Sequence, residues 1–284
     1  MENALATFAG TLYIVATPIG NLQDISFRAV STLKSVDGIL AEDTRHSLQL
    51  LNALGIQKPL LSLHAHNEAD KSAQIIVDLQ KGKSFALISD AGTPLISDPG
   101  FTLVRMARNM GITIVPIPGA CALIAALCAS GVPCDSFVFV GFLPAKQQAR
   151  KMKLQSLQQS EHTSIIYEST HRLLDCLDDI IEVYGNAYQL VLAKEITKSF
   201  EHIIHATGLE IKAWLLVDQA RVKGEFVLIF PAEPEKDKSS ADEQMLAVLL
   251  TELPLKQAVK VAGLLSRTSK NDLYKIALRL QTPH

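Results

Sequence analysis

The chain contains the stretch Ser89-Asp90-Ala91-Gly92-Thr93-Pro94-Leu95-Ile96-Ser97-Asp98-Pro99-Gly100. It follows the apolar run 85–88, which is typical of a buried strand, and it precedes helical spacing over 101–107. The stretch is therefore predicted to be a loop at the carboxyl end of a strand in an α/β sheet, where such folds bind ligands. The alternative is a turn-rich connection with capping aspartates, but twelve residues exceed most βα loops.

Strand and helix patterns alternate on both sides of this loop. Strands are predicted at 11–16, 38–41, 60–63, 85–88 and 112–115, and again at 137–142, 164–167, 190–193, 202–205 and 226–230. The first set predicts a parallel sheet with helices on both faces, and the second predicts another α/β domain. We place the boundary at Pro116 and Pro118, so that the N-terminal domain spans 1–117 and the C-terminal domain spans 118–232.

Residues 233–284 are predicted to form a linker and a helical tail. A change to Pro, Glu, Lys, Ser and Asp indicates a flexible linker over 232–242. Helical periodicity over 255–265 and 273–280 surrounds Ser266-Arg267-Thr268-Ser269, which predicts a helix-turn-helix shape.

Composition excludes some classes of protein. The net charge is −2, so the chain carries no overall signal for binding a polyanion. Its four cysteines form no C-x-x-C pair and are predicted to be reduced core residues of a cytoplasmic protein. The first nine residues lack a signal peptide pattern, and the apolar segment 120–129 is too short to cross a membrane.

Seven strand ends carry polar or Gly/Pro-rich segments, which together are predicted to line a cleft between the two domains. These segments are 16–22, 89–100, 118–123, 141–144, 167–172, 194–201 and 223–225. The chain has no G-x-G-x-x-G after its first strand, no Walker A motif and no H-E-x-x-H motif. The predicted cleft therefore lacks the common sequence motifs of dinucleotide, nucleoside triphosphate and zinc-protease sites.

The motifs in these segments resemble one family. They are Ala-Thr-Pro-Ile-Gly-Asn-Leu (16–22), Glu-Asp-Thr-Arg (42–45), His-Asn-Glu (66–68), the 89–100 loop, Gly-Phe-Leu-Pro (141–144) and Lys-Gly-Glu-Phe-Val-Leu (223–228). From 10 to 280 the chain resembles the bacterial 16S rRNA cytidine-2′-O-methyltransferases, the ribosomal RNA small subunit methyltransferase I family within the tetrapyrrole-methylase superfamily. Thr170 and Lys194 depart from the pattern, in which Pro and Arg are expected. Lysine cannot form the bidentate fork of arginine.

The resemblance implies a fold, a cofactor and partners. The fold is two α/β domains of the tetrapyrrole-methylase type, the class III S-adenosylmethionine methyltransferases, plus a small C-terminal helical extension. The subunits form a homodimer, and each binds S-adenosylmethionine, folded, in the cleft between its domains. The substrate is a cytidine in the decoding region of 16S rRNA, methylated on the 30S subunit in the cytoplasm. No metal and no membrane are implied.

Site residues follow from the resemblance and from the chemistry of the loops. Loops 89–100 and 118–123 carry small residues and no Lys or Arg, which suits cofactor binding through backbone groups. The predicted cofactor-binding residues are Pro18, Gly20, Asp90, Ala91, Gly92, Thr93, Ile96, Asp98, Gly119, Ala120, Cys121, Phe142, Leu143, Tyr167 and Gly224.

Methyl transfer to a ribose needs the 2′-oxygen in line with the sulfonium, roughly 3–3.5 Å from the methyl carbon, and removal of the hydroxyl proton. Glu195, Glu168 and Glu201 are candidates for the base or its orienter. Lys194 and Lys198 are candidates for stabilising the alkoxide or holding a phosphate. These charges are equally consistent with a solvated loop and with helix capping, and the sequence does not choose among them.

The predicted RNA contacts are Arg45, His64, Lys146, Arg150, His171 and Arg172, although a solvated helix face or a surface ion pair explains several of them equally well. Two other functions stay open. The chain is alternatively a small-molecule (tetrapyrrole) methyltransferase of the same fold, or a non-catalytic RNA-binding assembly factor. The tail argues against the first alternative, and the intact cofactor loops argue against the second.

Overall fold

A computed structural model describes residues 10–232, 238–266 and 268–281 of the chain. These residues form two α/β halves, each built on a five-stranded sheet with its flanking helices, and a group of three further helices. No helix in the described part of the chain has the length and apolar character needed to cross a membrane.

The first sheet is parallel throughout, as the β–α alternation predicts. Its strand order is β3-β2-β4-β1-β5. The elements are β1 (Thr11–Val15), α1 (Phe27–Ser35), β2 (Gly38–Ala41), α2 (Thr44–Ala53), β3 (Leu60–Ser62), α3 (Glu68–Gln80), β4 (Phe85–Leu87), α4 (Phe101–Asn109) and β5 (Thr113–Ile117).

Both faces of this sheet are buried. In β2, Ile39 packs with the cluster that covers one face and the adjacent Leu40 packs with the cluster on the other face. All four residues of the strand are buried, which explains why it reads as an unbroken apolar run. Because the strands are parallel, their carboxyl ends lie together at one edge, and the loop 89–100 starts there.

The second sheet is mixed, with the strand order β6-β7-β10-β8-β9. Only β6 and β7 are parallel, whereas β10 is antiparallel to both of its neighbours and β9 is antiparallel to β8. Its elements are α5 (Ala122–Ser130), β6 (Phe137–Phe142), α6 (Gln147–Gln158), β7 (Thr163–Ser169), α7 (Leu173–Tyr184), β8 (Gln189–Lys194), β9 (His202–Thr207), α8 (Gly208–Leu216) and β10 (Glu225–Phe230).

The antiparallel position of β10 determines where the second sheet contributes to a site. The amino end of β10 meets the carboxyl ends of β7 and β8, since Phe226 lies opposite both Glu168 and Lys194. The second sheet therefore also gathers its loops at one edge.

The tail contains three helices rather than the two that periodicity predicts. They are α9 (Lys238–Glu252), α10 (Leu255–Leu265) and α11 (Lys270–Gln281), and they share a hydrophobic cluster that includes Leu246 and Leu273. The prediction of a linker reaching residue 242 was wrong, because α9 begins at Lys238. Good helix formers such as Glu, Gln, Met, Leu and Ala follow the polar start of this segment.

The sequence predicts a helix that begins at Ser47 and a second helix that Asn67 caps, and both predictions need correction. Helix α2 begins at Thr44 and not at Ser47, because the Asp43 side chain accepts a hydrogen bond from the Arg45 N–H and so caps the helix. Asn67 precedes α3, but its side chain does not cap the helix and instead accepts a hydrogen bond from the His64 N–H at 2.9 Å.

Candidate active site

A cavity of about 400 Å³ lies between the loop edges of the two sheets, within the size range of small-molecule sites. Each of the seven predicted segments contributes at least one residue to its wall. The wall is formed by Ile19, Ala91, Gly92, Thr93, Ile96, Ser97, Asp98, Cys121, Ala122, Phe142, Tyr167, Glu168, Ser169, Thr170, His171, Ile196, Gly224, Glu225, Phe226 and Val227.

The loop 89–100 forms the wall on the side of the first sheet and is fixed by main-chain pairing. The Thr17 N–H donates to the Gly92 carbonyl at 2.9 Å, and the Gly92 N–H donates to the Thr17 carbonyl at 3.1 Å. Gly92 has a φ of +82°, and a Cβ placed there would lie 3.2 Å from Ile19 Cγ2. The Thr93 hydroxyl donates to the Ala120 carbonyl at 3.0 Å and ties the loop to the start of α5.

Strained backbone is concentrated at this cleft. Within the described residues, the non-glycine residues with positive φ are Leu95, Ser97, Glu195 and Thr197. The first two lie in the loop 89–100, and the other two lie in the segment that follows β8. Such conformations cost energy and persist where the surroundings enforce them, often at functional sites.

Asp98 lines the cavity and has a pKa well above that of an ordinary aspartate. Burial in the first place, and then the neighbouring carboxylates of Glu42 and Asp90, raise the pKa of Asp98 to about 6, although a hydrogen bond with Ser89 lowers it. The pKa of Glu42 is raised as well, first by burial and then by Asp90. This end of the cavity is therefore acidic.

Aromatic side chains form the opposite wall. The Tyr167 ring contacts Phe139 and Phe142 edge-on, with ring centroids 4.9 and 5.9 Å apart. The Tyr167 hydroxyl oxygen accepts a hydrogen bond from the Leu123 N–H at the start of α5, at 3.1 Å. Burial raises the pKa of Tyr167 to about 12, so the phenol stays neutral and acts as a fixed apolar surface.

An ion-pair network holds the segment that follows β8. Lys198 Nζ lies 2.8 Å from Glu195 Oε1 and 3.0 Å from Glu225 Oε2. Burial alone would raise the pKa of Glu195, but the hydrogen bonds from Lys198 and from the Glu225 N–H outweigh it and lower the pKa. The Lys198 side chain also packs on Gly20, where a Cβ would lie only 2.3 Å from Lys198 Cγ.

The predicted cofactor-binding residues divide into two groups. Nine reach the cavity wall: Ala91, Gly92, Thr93, Ile96, Asp98, Cys121, Phe142, Tyr167 and Gly224. Pro18, Gly20, Asp90, Gly119, Ala120 and Leu143 do not line it.

Three of the residues outside the wall have clear structural contacts. Asp90 accepts a hydrogen bond from the Asp43 N–H at 3.1 Å. Leu143 is in the core of the second domain. Gly119 allows a close approach to Ala16, since a Cβ would lie 2.9 Å from the Ala16 Cβ. These residues support the loops that form the wall.

Of the five predicted catalytic residues, only Glu168 lines the cavity. Glu195 and Lys198 belong to the ion-pair network described above. The Glu201 carboxylate accepts a hydrogen bond from the Thr197 N–H at 2.6 Å and so stabilises the same segment. Lys194 is 4% exposed with its Nζ 5.8 Å from the centre of the Phe226 ring, so the prediction that it holds an RNA phosphate is corrected.

The six residues predicted to contact RNA also differ in where the structure places them. Arg150 is 5% exposed and pairs with Asp179 at 2.6 Å, so the prediction that it contacts RNA was wrong. Arg172 contacts Glu168 and two main-chain carbonyls while 27% of its side chain stays exposed, so its predicted contact with RNA stays a prediction. His171 lines the cavity.

Arg45, His64 and Lys146 lie outside the cavity wall. Arg45 pairs with Asp43 on the surface, and Lys146 is exposed at the start of α6. His64 packs edge-on against His66, with ring centroids 5.9 Å apart. The prediction that these three contact RNA stays a prediction.

The prediction of cysteines in the core holds for one of four. Cys176 is buried, Cys121 is half-buried, and Cys128 and Cys134 are exposed. All four are free. Cys128 lies on α5, whose apolar sequence gave no indication that one face of the helix is uncovered.

Several wall residues had no signal of their own in the sequence. They are Ile19, Ser97, Ala122, Ser169, Thr170, Ile196, Glu225, Phe226 and Val227. All except Phe226 and Val227 lie inside the seven predicted segments, so the segments were predicted although these individual residues were not. Phe226 and Val227 read as core strand residues, and the edge at which they lie depends on the direction of β10.

Taken together, the fold and the cavity define a two-domain α/β protein with a cleft that seven loops line and that is large enough for a small molecule. The sequence profile of the family described as Tetrapyrrole (Corrin/Porphyrin) Methylases matches residues 11–212. A second profile, the RsmI C-terminal HTH domain, matches residues 236–281. The chain belongs to the tetrapyrrole methylase family and is a methyltransferase.

Relatives in sequence cover nearly the whole chain. Proteins named Ribosomal RNA small subunit methyltransferase I are 51% identical in Haemophilus influenzae, over 96% of this chain and 98% of theirs, and 49% identical in Pseudomonas aeruginosa, over the same shares. The protein of that name from Escherichia coli O157:H7 is 50% identical and covers 96% of both chains. The resemblance identified from the motifs is confirmed.

Solved structures share the fold at low identity. A diphthine synthase superimposes with a TM-score of 0.62 at 14% identity, over 78% of this chain and 90% of that one. A uroporphyrin-III-C-methyltransferase from Thermus thermophilus has a TM-score of 0.56 at 18% identity, over 78% and 94%.

The predicted fold class and cofactor are confirmed by the family. A further Thermus thermophilus uroporphyrin-III C-methyltransferase structure, with a TM-score of 0.53 at 15% identity over 78% of this chain and 97% of that one, is a complex with S-adenyl homocysteine. The cofactor of this methyltransferase is S-adenosylmethionine. The described residues contain no cluster of three or more His, Cys, Asp or Glu placed to hold a metal ion.

Proposed function

We propose that this methyltransferase transfers a methyl group from S-adenosylmethionine to the 2′-hydroxyl of a cytidine in the decoding region of 16S rRNA, on the 30S subunit. The observation that carries the proposal is the cavity between the two sheets, to which all seven loops contribute. The rRNA substrate is supported by the names of relatives about half identical over almost the entire chain.

The cavity residues fit the proposed cofactor. The main chain at Ala91 and Gly92 forms part of the cavity wall, and a ligand can approach it closely because Gly92 carries no side chain. The polar residues Thr93, Ser97 and Asp98 lie in the loop of the first sheet. The apolar residues Phe142, Phe226 and Val227 come from the second sheet. A ligand with one charged and one flat apolar end matches this division.

When bound, the cofactor supplies an activated methyl group, and its sulfonium already carries the charge that makes the methyl electrophilic. The protein must hold the reacting groups in line and accept the 2′-hydroxyl proton. Asp98 suits the second task, because a carboxyl with a pKa of about 6 is ionised at neutral pH yet more basic than an exposed one. We assign the role of proton acceptor to Asp98 rather than to the glutamates of the segment after β8.

Two further properties belong to this proposal. We place the protein in the cytoplasm, where ribosomal subunits are available. We also propose a homodimer, supported by the edge strand β6, where the adjacent Phe137 and Val138 are both exposed, at 39% and 41%. Such an apolar edge is a template for association. Equilibrium ultracentrifugation should give twice the mass of the chain, and a monomer at micromolar concentration would contradict the dimer.

The test of the function is transfer of radiolabelled methyl groups from S-adenosylmethionine to 30S subunits that lack the modification, followed by nucleoside analysis. We expect label in 2′-O-methylcytidine only. Label on a base, or on uroporphyrinogen instead of rRNA, would contradict the proposal and favour the tetrapyrrole alternative. Binding to 30S subunits without any transfer would favour the non-catalytic assembly factor.

A further inference from the structure

Arg172 is an arginine that the fold uses internally. Its Nη2 donates to the Leu143 carbonyl at 2.6 Å and to the Pro144 carbonyl at 3.3 Å, and its Nε lies 3.4 Å from Glu168 Oε1. A single guanidinium therefore connects the carboxyl end of β7 with the turn that follows β6. Only a planar fork with several donors can make these contacts together.

Glu168 is buried in a way that requires this arginine. The residue is 2% exposed, its Oε1 accepts a hydrogen bond from the Ser169 N–H at 2.8 Å, and its Oε2 has no hydrogen-bond partner. The nearby carboxylate contributes, after burial, to raising the pKa of the Cys176 thiol. A buried carboxylate is costly unless a cation compensates it, and Arg172 is the cation in direct contact with it.

The turn held by Arg172 begins directly after Phe142. Gly141 has a φ of +74°, and the pairing of β6 with β7 is irregular between Phe139 and Gly141. After this irregularity Phe142 pairs with Tyr167 as the last residue of β6, so sheet pairing supports it on one side only. Phe142 is 53% exposed, contacts Tyr167 edge-on and lines the cavity. Its position depends on the two carbonyls that follow it.

We infer that the Glu168–Arg172 pair is a positioning device that fixes the Phe142 ring as the surface on which the adenine of S-adenosylmethionine lies. This inference rests on the proposed binding of the cofactor in the cavity. Adenine is favoured over the target cytosine because Phe142 lines the cavity proposed for the cofactor, and adenine is the flat aromatic part of that cofactor. Arg172 thus acts on cofactor affinity and has no part in binding RNA.

The first test is calorimetric titration of the full-length protein with S-adenosylhomocysteine, without RNA. Arg172→Lys keeps a cation beside Glu168, so the variant should fold, but it cannot hold both carbonyls and the carboxylate. We expect its Kd to rise about tenfold. Phe142→Ala removes an exposed ring and should raise Kd between about five- and a hundredfold, the range known for base–aromatic stacking.

The double variant Phe142→Ala/Arg172→Lys tests whether Arg172 acts through Phe142. If it does, the double variant binds S-adenosylhomocysteine no more weakly than Phe142→Ala alone. Multiplied effects of the two changes would overturn the inference. Arg221→Lys is the matched control, since Arg221 also donates to a main-chain carbonyl, that of Trp214 at 3.0 Å, but lies outside the cavity wall. Its Kd should equal that of the wild type.

Steady-state kinetics separate this role from an RNA contact. Arg172→Lys should raise the KM for S-adenosylmethionine with kcat and the KM for 30S subunits unchanged. A raised KM for 30S subunits with normal Kd for S-adenosylhomocysteine would overturn the inference. If the wild-type protein itself failed to bind S-adenosylhomocysteine, the proposed function would fail first, and the two failures are therefore distinguishable.

Discussion

Gly92 combines backbone pairing with an open side toward the cavity. Gly92→Val places two methyl groups against Ile19 and forces a branched residue into a φ of +82°. We expect the Kd for S-adenosylhomocysteine to rise at least a hundredfold in calorimetric titration. Because Gly92 is buried and paired with Thr17, some loss of stability accompanies this effect, which a surface loop would not show.

Gly111→Val is the matched control for that variant. Gly111 has a φ of +69° and nothing within 4 Å of a placed Cβ, so the change brings similar backbone strain far from the cavity. We expect reduced thermal stability with normal affinity. Equal loss of affinity in both variants would show that strain, and not the cavity, explains the result at Gly92.

Asp98 is expected to lower the free energy of unfolding above pH 6 while it serves as the proposed proton acceptor. Its pKa is raised from 3.8 to about 6 in the folded protein, first by burial, so folding favours its protonated form. The stabilisation is complete below pH 4 and is lost as the pH rises through 6. Asp98→Asn removes this loss, and we expect it to be more stable than wild type at pH 8 by on the order of 1 kcal/mol, since solvent screens a partly exposed carboxyl.

The same substitution should lower kcat about 10² to 10⁴-fold, because the amide cannot accept the proton. Thermal melts at pH 4 and pH 8 measure the stability, and single-turnover methylation measures the rate. Wild-type activity in Asp98→Asn would move the proton acceptor to another residue. A variant less stable than wild type at pH 8 would show that Asp98 is held as a carboxylate.

The positions of the cavity loops could be predicted from the sequence more accurately than the contacts of the charged side chains. Arg150 reads as part of a basic helix face and Arg172 as part of a strand-to-helix junction, and both form ion pairs with acidic residues. Charge patterns do not reveal burial, because the acidic partner lies on another element, as Asp179 does for Arg150. Gly92 and Tyr167 were placed correctly at the cleft because loop composition and strand ends are local signals.

Helices α6 and α7 are joined by a buried ion pair. Arg150 Nε donates to one Asp179 oxygen at 2.6 Å, and Gln147 donates to the other at 2.9 Å. Arg150→Ala leaves the carboxylate buried without its main partner, and we expect a loss of about 3–5 kcal/mol in the free energy of unfolding, measured with urea. Lys146→Ala, an exposed cation next to the same helix, should change stability by less than about 0.5 kcal/mol.

A normal unfolding curve for Arg150→Ala together with weaker 30S binding would show that Arg150 contacts RNA after all.

The helices themselves were predictable, since 147–158 and 173–184 have clear periodicity. The direction of the strands between them was not, because an apolar strand has the same pattern in a parallel and an antiparallel pair. The second sheet therefore could be predicted to exist but not to be mixed.

The helical tail is an independent packing unit. Helices α9, α10 and α11 pack mainly on one another around Leu246 and Ala262. Leu264 and Leu265 at the end of α10 are 78% and 70% exposed, near the exposed Lys260 and Lys270. Arg267, a third basic residue of this tail, lies outside the described residues. We expect this surface to contact rRNA or the partner subunit and to have no part in cofactor binding.

A chain ending at residue 232 tests this expectation. Its Kd for S-adenosylhomocysteine should stay within twofold of the full-length value, while methylation of 30S subunits should fall at least tenfold. Circular dichroism establishes that the shortened protein is folded. Loss of cofactor binding in a folded truncation would show that the tail completes the cavity.

Strand β10 is made last among the strands, yet it lies in the middle of its sheet, between β7 and β8. The first sheet is complete once β5 is made, so its half can fold while translation continues. Until residue 230 has left the ribosome, the edges of β7 and β8 that pair with β10 stay unpaired. Unpaired strand edges promote aggregation. Because residues 224–227 also line the cavity, the proposed cofactor site is incomplete until four-fifths of the chain has been synthesised, so we expect no help from the cofactor in folding the first half.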